Sequence, residues 1–345
     1  MVRKIESILR PLSNDEKKIF TISLIDFFSP MNNIKNRKLL NLPINEGQLK
    51  PLNFGNFLNY LREKNNLENS YDYMNALKKL IFRLENEGLL INMGIQPGTG
   101  PTLGFSYYSM PQLTLIQRNH ESFFLGKVLG IEYLRELYSQ YIVRIEGEPK
   151  TNNISATGSG ILINKNTILT CAHNINDIKE HSIWINEKEL QIKDMKAHSK
   201  HDIGIIKIED YNKVSRFPYF GMPRELDKTL TLGYPPLTCM KDVALVAQSG
   251  EINAIAKDWK DAENIIISSI TRPGNSGGPV ISEEGFIVGI VINASYSVTQ
   301  IDSEKEVKNN EFSTPFYNAI SSNEIIKALK EIDSEIEIIF EDYKV

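Results

Sequence analysis

Cysteine is almost absent from the chain: Cys171 and Cys239 are the only two. That is too few for a disulfide framework and compatible with a reducing cytoplasm. Nowhere do eighteen apolar residues follow one another, so a membrane-spanning helix is excluded by length. The opening MVRKIESILRPLSNDEKK carries charges within four residues of each short apolar run and has no h-region. The expectation is a cytoplasmic protein, neither exported nor held in a membrane. Repeats at a fixed period and low-complexity tracts are missing too. What the 345 residues do contain is an ordinary globular balance, 41% hydrophobic and 24% charged. At this length a sizeable core is assured and two units are the default.

The net charge of −4 is unevenly spread. Residues 1 to 120 hold 15 Lys and Arg against 10 Asp and Glu, a balance of +5 that leaves −9 for the remainder. The basic half reads as helices. Ser13-Asn14-Asp15-Glu16 is a capping box, after which Phe20, Leu24, Phe27 and Phe28 share one helical face until Pro30. Phe54, Phe57, Leu58 and Leu61 mark a second helix, and Tyr73, Leu77, Leu80, Ile81 and Leu84 a third that stops before Gly88. In LLINMGIQPGTGPTLGFSYYSM, two alternating apolar stretches flank a Gly- and Pro-rich loop, which reads as a β-hairpin. Helices followed by such a hairpin resemble a winged helix-turn-helix domain with residues 70 to 87 as recognition helix. Lys78, Lys79 and Arg83 would then lie on its polar side, as a phosphate-contacting surface requires, although winged helices also serve as protein-binding modules.

Residues 122 to 138 read as a connecting helix, and the acidic half that follows reads as strands. YIVRI, GSGILIN, TILTCAH, IWIN, LQIKDM, DIGIIKI, TLTLGYP, ALVAQSGEI, NIIISSI and FIVGIVIN are separated by short polar turns without long helices. This argues for an all-β barrel or sandwich pair.

Three of its segments carry chemistry together. ILTCAHNI sets His173 just beyond an apolar strand, HDIGIIKI sets Asp202 at the start of another, and TRPGNSGGPV sets Ser276 in a turn of small residues. A serine hydroxyl needs a base to take its proton, and the base needs a carboxylate to fix its tautomer. The same turn could supply an oxyanion hole from the N–H groups of Gly274 and Ser276, because glycine tolerates the backbone angles that make them converge. These segments, in this order, resemble a trypsin-fold serine protease, most of all the bacterial HtrA/Deg group. FYNAISSNEIIKALKEI is similar to that family's closing strand and helix.

The resemblance implies a multidomain α and β chain. A helical, winged-helix-like domain over 1–120 and a connecting helix over 121–139 precede an all-β double-barrel protease domain over 140–333, which would have six strands per barrel, and a tail over 334–345. It implies a serine endopeptidase acting on proteins or peptides, with no cofactor and no metal. His173 would serve as general base, Asp202 would orient it, and Ser276 would form the acyl-enzyme. Ile270 would sit at the base of the S1 pocket and Ile292, Asn293 and Ala294 along its wall, so a small or apolar P1 side chain is expected, since an apolar base offers no countercharge to a cation. Many relatives carry a disulfide-bonded cysteine directly after the histidine; here Asn174 stands there. Asn275 precedes the serine where zymogen-activated members have an aspartate, so activation by a new amino terminus is not expected. No PDZ domain is expected after the last helix, and regulation would come from the N-terminal domain, through a DNA or a protein partner.

The same residues have plainer readings. The Gly-rich turn could be structural only, and the chain a catalytically silent DNA- or protein-binding regulator on a protease scaffold. His198 and His201 in AHSKHD are too isolated for a metal site and read as a solvated turn. Cys171 reads as a small buried filler beside the histidine.

Overall fold

A computed structural model describes residues 12–343 apart from 45–48, 66, 112, 151–155, 238, 242, 259 and 293–315. The chain forms two compact units: Met1–Leu113 with Lys127–Leu129, and Thr114–Gly126 with Gly130–Val345. Among the described residues no helix is long and apolar enough to cross a membrane.

The first unit begins with α1 (Asn14–Phe28), opened by the capping box read from the sequence: Ser13 Oγ accepts from Glu16 N at 3.2 Å and Glu16 Oε2 accepts from Ser13 N at 2.8 Å. Its buried face holds Phe20, Leu24, Phe27 and Phe28. Next comes α2 (Asn33–Leu39), which hydrophobic periodicity does not reveal because its buried residues are polar. Asn33 Nδ2 donates to Lys50 O and Asn36 Nδ2 to Phe27 O, each at 3.0 Å. Then β1 (Leu52–Asn53), α3 (Phe54–Asn65) and α4 (Met74–Asn86) lead to a hairpin of β2 (Ile91–Ile95) and β3 (Phe105–Tyr108). The sheet is antiparallel in the order β1-β3-β2. Rings of Phe27, Phe28, Phe57 and Tyr60 fill its core at centroid distances of 4.8–6.2 Å.

After α5 (Leu115–Asn119), the segment expected to be one connecting helix is broken into a 3₁₀ turn over Glu121–Leu125, α6 (Gly126–Leu129) and α7 (Ile131–Ser139). Gly130, at φ +86°, takes the backbone out of the helical region between the last two.

A first antiparallel sheet contains β4 (Ile142–Pro149), β5 (Ala156–Asn164), β6 (Thr167–Thr170), β7 (Ile178–Ile185), β8 (Lys188–Leu190), β9 (Ile192–Ala197) and β10 (Gly204–Ile208), with α8 (Ala172–Asn176) between β6 and β7. Its order is β8-β7-β4-β5-β6-β10-β9, seven strands where six were expected. The additional one is β8, paired to β7 across Asn186-Glu187, both at positive φ as a two-residue hairpin turn of the right twist requires.

The second sheet comprises β11 (Phe220–Gly221), β12 (Lys228–Gly233), β13 (Val246–Lys257), β14 (Glu263–Ile267), β15 (Pro279–Ser282), β16 (Ile287–Val291), β17 (Tyr317–Ser321) and β18 (Phe340–Glu341), with α9 (Ser322–Ile332) after β17. Six of these close into a ring, β12-β13-β14-β17-β16-β15, because β15 pairs with both β12 and β16. Ile252, Ile265, Ile267, Val280, Val288, Val291 and Ala319 pack inside. The ring abolishes the edges an open sheet would expose. Two-residue strands β11 and β18 extend it in parallel, so Phe340 and Glu341 near the end of the described chain are part of the sheet.

Candidate active site

The apolar residues of β6 run through the core of the first sheet, and the strand ends at Thr170. Cys171, fully buried, donates its thiol to Val291 O at 3.2 Å. Burial, chiefly, pushes that thiol well above its usual pKa, which makes it a filler and a weak donor, the opposite of an activated nucleophile. Two residues later His173 stands in the first turn of α8.

His173 and Asp202 meet. The backbone N–H of His173 donates to Asp202 Oδ1 at 3.0 Å and its Nδ1 lies 2.7 Å from Asp202 Oδ2. Burial opposes ionisation of Asp202, but the bonds and charge of His173 outweigh it and hold the carboxyl below its ordinary pKa. An ionised Asp202 makes Nδ1 the donor, so the lone pair of Nε2 is free to take a proton.

The loop that delivers Asp202 is pinned by the histidines expected to form a solvated turn, and that expectation is corrected. His198 is buried; its Nδ1 accepts from the backbone N–H of His201 at 3.0 Å and of Lys200 at 3.3 Å, while Nε2 meets Glu331 of α9 at 2.9 Å. The ring of His201 stacks on it at 5.0 Å and reaches Glu324 at 3.7 Å. With both nitrogens of His198 engaged within the protein, the pair serves as a brace. Among the described residues the ligand atoms that gather as a metal site would require are those of Cys171, His173 and Asp202. There the carboxylate is already spent on the imidazole and the thiol is held protonated.

Ser276 is 3% exposed and is held by its main chain. Its carbonyl oxygen accepts from Ser159 N and from Asn174 Nδ2, both at 2.9 Å. On one side Gly274, at φ +97°, has its carbonyl gripped by Ser159 Oγ at 2.6 Å. On the other Gly277, at φ +85°, donates to Val291 O at 2.8 Å. A side chain at Gly277 would strike Ser159 O and Thr170 Oγ1 and lie 3.0 Å from Cys171 N. Glycine is therefore required there both for φ and for space.

Of the expected S1 residues, Ile270 is 48% exposed and Ile292 half-buried, its N–H donating to Asn318 O at 3.1 Å. Asn293 and Ala294 lie outside the described residues. In the first unit, Lys79 and Arg83 are exposed on α4 and Lys78 is half-buried. Arg83 Nη1 donates to Val128 O at 3.1 Å, and between the cations Phe82 is 63% exposed.

Sequence reasoning missed Ser159, Thr170 and the side chain of Asn174, which join the Ser276 turn to the first sheet. A weak signal existed: polar residues at the buried positions of the apolar strands GSGILIN and TILT.

Comparisons with known proteins bear on the second unit. Residues 158–290 match the family model of the trypsin-like peptidase domain, and the chain carries such a domain. It is 25% identical over 198 residues to the chloroplastic Protease Do-like 2 of Arabidopsis thaliana, covering 54% of this chain and 31% of that protein. It is 29% identical over 158 residues to a serine protease DegP homolog of Plasmodium falciparum, covering 42% and 17%. The chain thus spans less than a third of the length of these curated relatives. Among solved structures, an active-form protease from M. tuberculosis superposes with a TM-score of 0.46 at 16% identity, over 60% of this chain and 86% of that one. A serine endoprotease from Yersinia pestis gives 0.44 at 18%, over 59% and 66%.

Proposed function

We propose that this chain is a cytoplasmic serine endopeptidase that hydrolyses peptide bonds through an acyl-enzyme. The observation that carries the reading is the 2.7 Å contact between His173 Nδ1 and Asp202 Oδ2, beside a serine turn held from both sides. His173 takes the Ser276 proton as Ser276 Oγ attacks the scissile carbonyl, then returns it to the leaving amine. Asp202 holds the tautomer and stabilises the imidazolium, and water repeats the sequence to release the acyl group. The N–H groups of Gly274 and Ser276 take up the oxyanion, each such donor being worth on the order of a hundred- to a thousandfold in turnover. Ile270 and Ile292 shape an S1 pocket for a small or apolar side chain, and neither metal nor cofactor enters these steps. Labelling with a fluorophosphonate probe tests the reading: an adduct on Ser276 that disappears in Ser276→Ala and His173→Ala is expected. A wild type that stays unlabelled with candidate partners present would leave the silent regulator as the better account.

In this reading the N-terminal unit is a winged-helix-like module that regulates the peptidase by binding a partner. The order two helices, strand, two helices and hairpin, with β1 added beside β3, supports that assignment. The exposed Phe82 and the apolar outer strand with Ile91, Met93 and Ile95 favour a protein partner over DNA, since desolvating apolar surface rewards protein contact and phosphate contact does not. Salt-sensitive DNA binding that is lost when Lys78, Lys79 and Arg83 are changed to Glu would reverse that choice.

A further inference from the structure

We propose that Asn174 is a positioning residue for the nucleophile: its side-chain amide locks the backbone of Ser276 to the helix that carries His173. The inference rests on the peptidase reading and adds to it a group outside the triad and the oxyanion hole.

Asn174 is 2% exposed, and its Nδ2 lies 2.9 Å from Ser276 O and 2.9 Å from Thr170 Oγ1, with Ser159 O more distant at 3.4 Å. The directions are determined by chemistry. Thr170 Oγ1 donates its only proton to Ser159 O at 2.7 Å, so it must accept from Asn174. The amide's second proton then goes to Ser276 O. That oxygen also accepts from Ser159 N at 2.9 Å, so both of its lone pairs are filled.

The consequence lies in which peptide planes are fixed. The plane after Ser276 is held at its oxygen by Asn174 and Ser159 and at its nitrogen by the bond from Gly277 to Val291. The plane before it is held by Gly278 N donating to Asn275 O at 2.9 Å. With both planes set, the Cα–Cβ direction of Ser276 is set, and only χ1 remains to aim the hydroxyl. Asn174 is the part of this frame that follows His173 directly in α8. Any shift of α8 therefore moves the base and the nucleophile's anchor together, preserving a distance that catalysis requires to well within 1 Å.

Gly158 gives independent access to the same group. A Cβ there would lie 2.6 Å from Cγ and from Nδ2 of Asn174, so Gly158→Ala would displace the amide without altering any triad residue. Asn174→Asp keeps shape and volume but removes both donors, presenting carboxylate oxygens to two acceptors.

The test compares wild type, Asn174→Asp, Gly158→Ala, Asn174→Ala and the double variant Gly158→Ala/Asn174→Ala. Three quantities are read: the rate of fluorophosphonate labelling of Ser276, kcat and KM on one peptide, and hydrogen exchange at Ser159 N–H, which shares the Ser276 oxygen with Asn174. We expect labelling and kcat of Asn174→Asp to fall together by about 30- to 100-fold with KM within about twofold, as displaced reacting groups produce. Ser159 exchange should quicken at least about tenfold, one lost bond's worth of protection. Gly158→Ala should fall in the same direction, and the double variant should be no slower than Asn174→Ala, because the methyl then enters vacated space. Wild-type labelling and kcat in Asn174→Asp, or a loss carried equally by KM and by global stability, would overturn the proposal while leaving the peptidase reading intact. If wild type itself does not label, the peptidase reading fails, and Ser159 exchange alone decides the clamp: unchanged exchange in Asn174→Asp refutes it.

Discussion

Acid should weaken the second unit through a histidine far from the chemistry. His120 is 2% exposed, stacked between Phe123 at 4.2 Å and Tyr219 at 4.3 Å with interplanar angles of 3° and 5°. Its Nε2 accepts from Tyr219 N at 3.0 Å. Burial lowers its pKa from 6.5 to about 3, so the folded unit keeps it neutral while the unfolded chain protonates it. Between these two values the unfolded state binds more protons, and stability falls as pH falls through 6.5 toward 3. The full displacement corresponds to about 5 kcal/mol, of which about 2 kcal/mol is lost at pH 5 and about 3 kcal/mol at pH 4. Both tryptophans, Trp184 and Trp259, belong to this unit, so urea unfolding followed by tryptophan fluorescence reports on it. His120→Gln cannot titrate. It should be less stable than wild type at pH 7.5, since the buried stack on Phe123 and Tyr219 is lost, but the gap should narrow by about 2 kcal/mol at pH 5. A gap that stays constant between the two pH values would refute the argument.

Other consequences can be checked separately. Asp202→Asn should leave the fold and peptide KM nearly unchanged while kcat falls roughly 10³- to 10⁴-fold, because the amide stabilises neither the tautomer nor the imidazolium; a loss under tenfold would remove Asp202 from its role. Gly277→Ala should abolish labelling of Ser276 and lower urea stability by at least roughly 1–2 kcal/mol, the cost of a side chain in left-handed backbone, before its collision with Ser159 and Thr170 is added. Retained labelling would show that the turn can adapt. Ser13→Ala should destabilise the start of α1 by about 1 kcal/mol and speed exchange of the Glu16 amide; unchanged exchange would mean the capping box carries no protection.

Much of the fold was legible because its signals are local. The capping box at Ser13, the apolar stripe of α4 and the alternating strands state their own structure over a few residues. What stayed hidden depends on partners distant in sequence or on polar residues facing inward. Helix α2 buries Asn33 and Asn36 against backbone carbonyls, so it has no apolar stripe to find. The break at Gly130 and the hairpin at Asn186-Glu187 turn on positive φ values; the second involves a residue pair other than the glycine-containing ones favoured for such turns. Among the candidate site residues, His173, Asp202 and Ser276 stood out by type and order. His198 was misread because its partner Glu331 lies 133 residues away, and no spacing rule connects them.

Separating these two kinds of information changes what a triad read from sequence can mean. His173 and Asp202 come from connections between strands of the first sheet, α8 and the β9–β10 loop, and Ser276 from the turn between β14 and β15 of the second sheet's closed ring. Nothing in the three residue types brings the two together. Besides Cys171, whose thiol meets Val291 O, the joining is done by Ser159 and Asn174, whose bonds to the carbonyls of Gly274 and Ser276 span 115 and 102 residues. Their partners are main-chain oxygens, which every residue possesses, so these bonds constrain residue identity at the donor end only. A chain with His, Asp and Ser in place but apolar residues at positions 159 and 174 would retain the motif and lose the frame. In such a chain the buried Gly274 carbonyl would have no donor, costing roughly 1–3 kcal/mol, and Ser276 O would keep only the backbone N–H of residue 159, enough to favour another arrangement of the turn. The difference between a peptidase and a silent scaffold of this kind is therefore decided beside the triad, by two side chains that hold main-chain carbonyls in place.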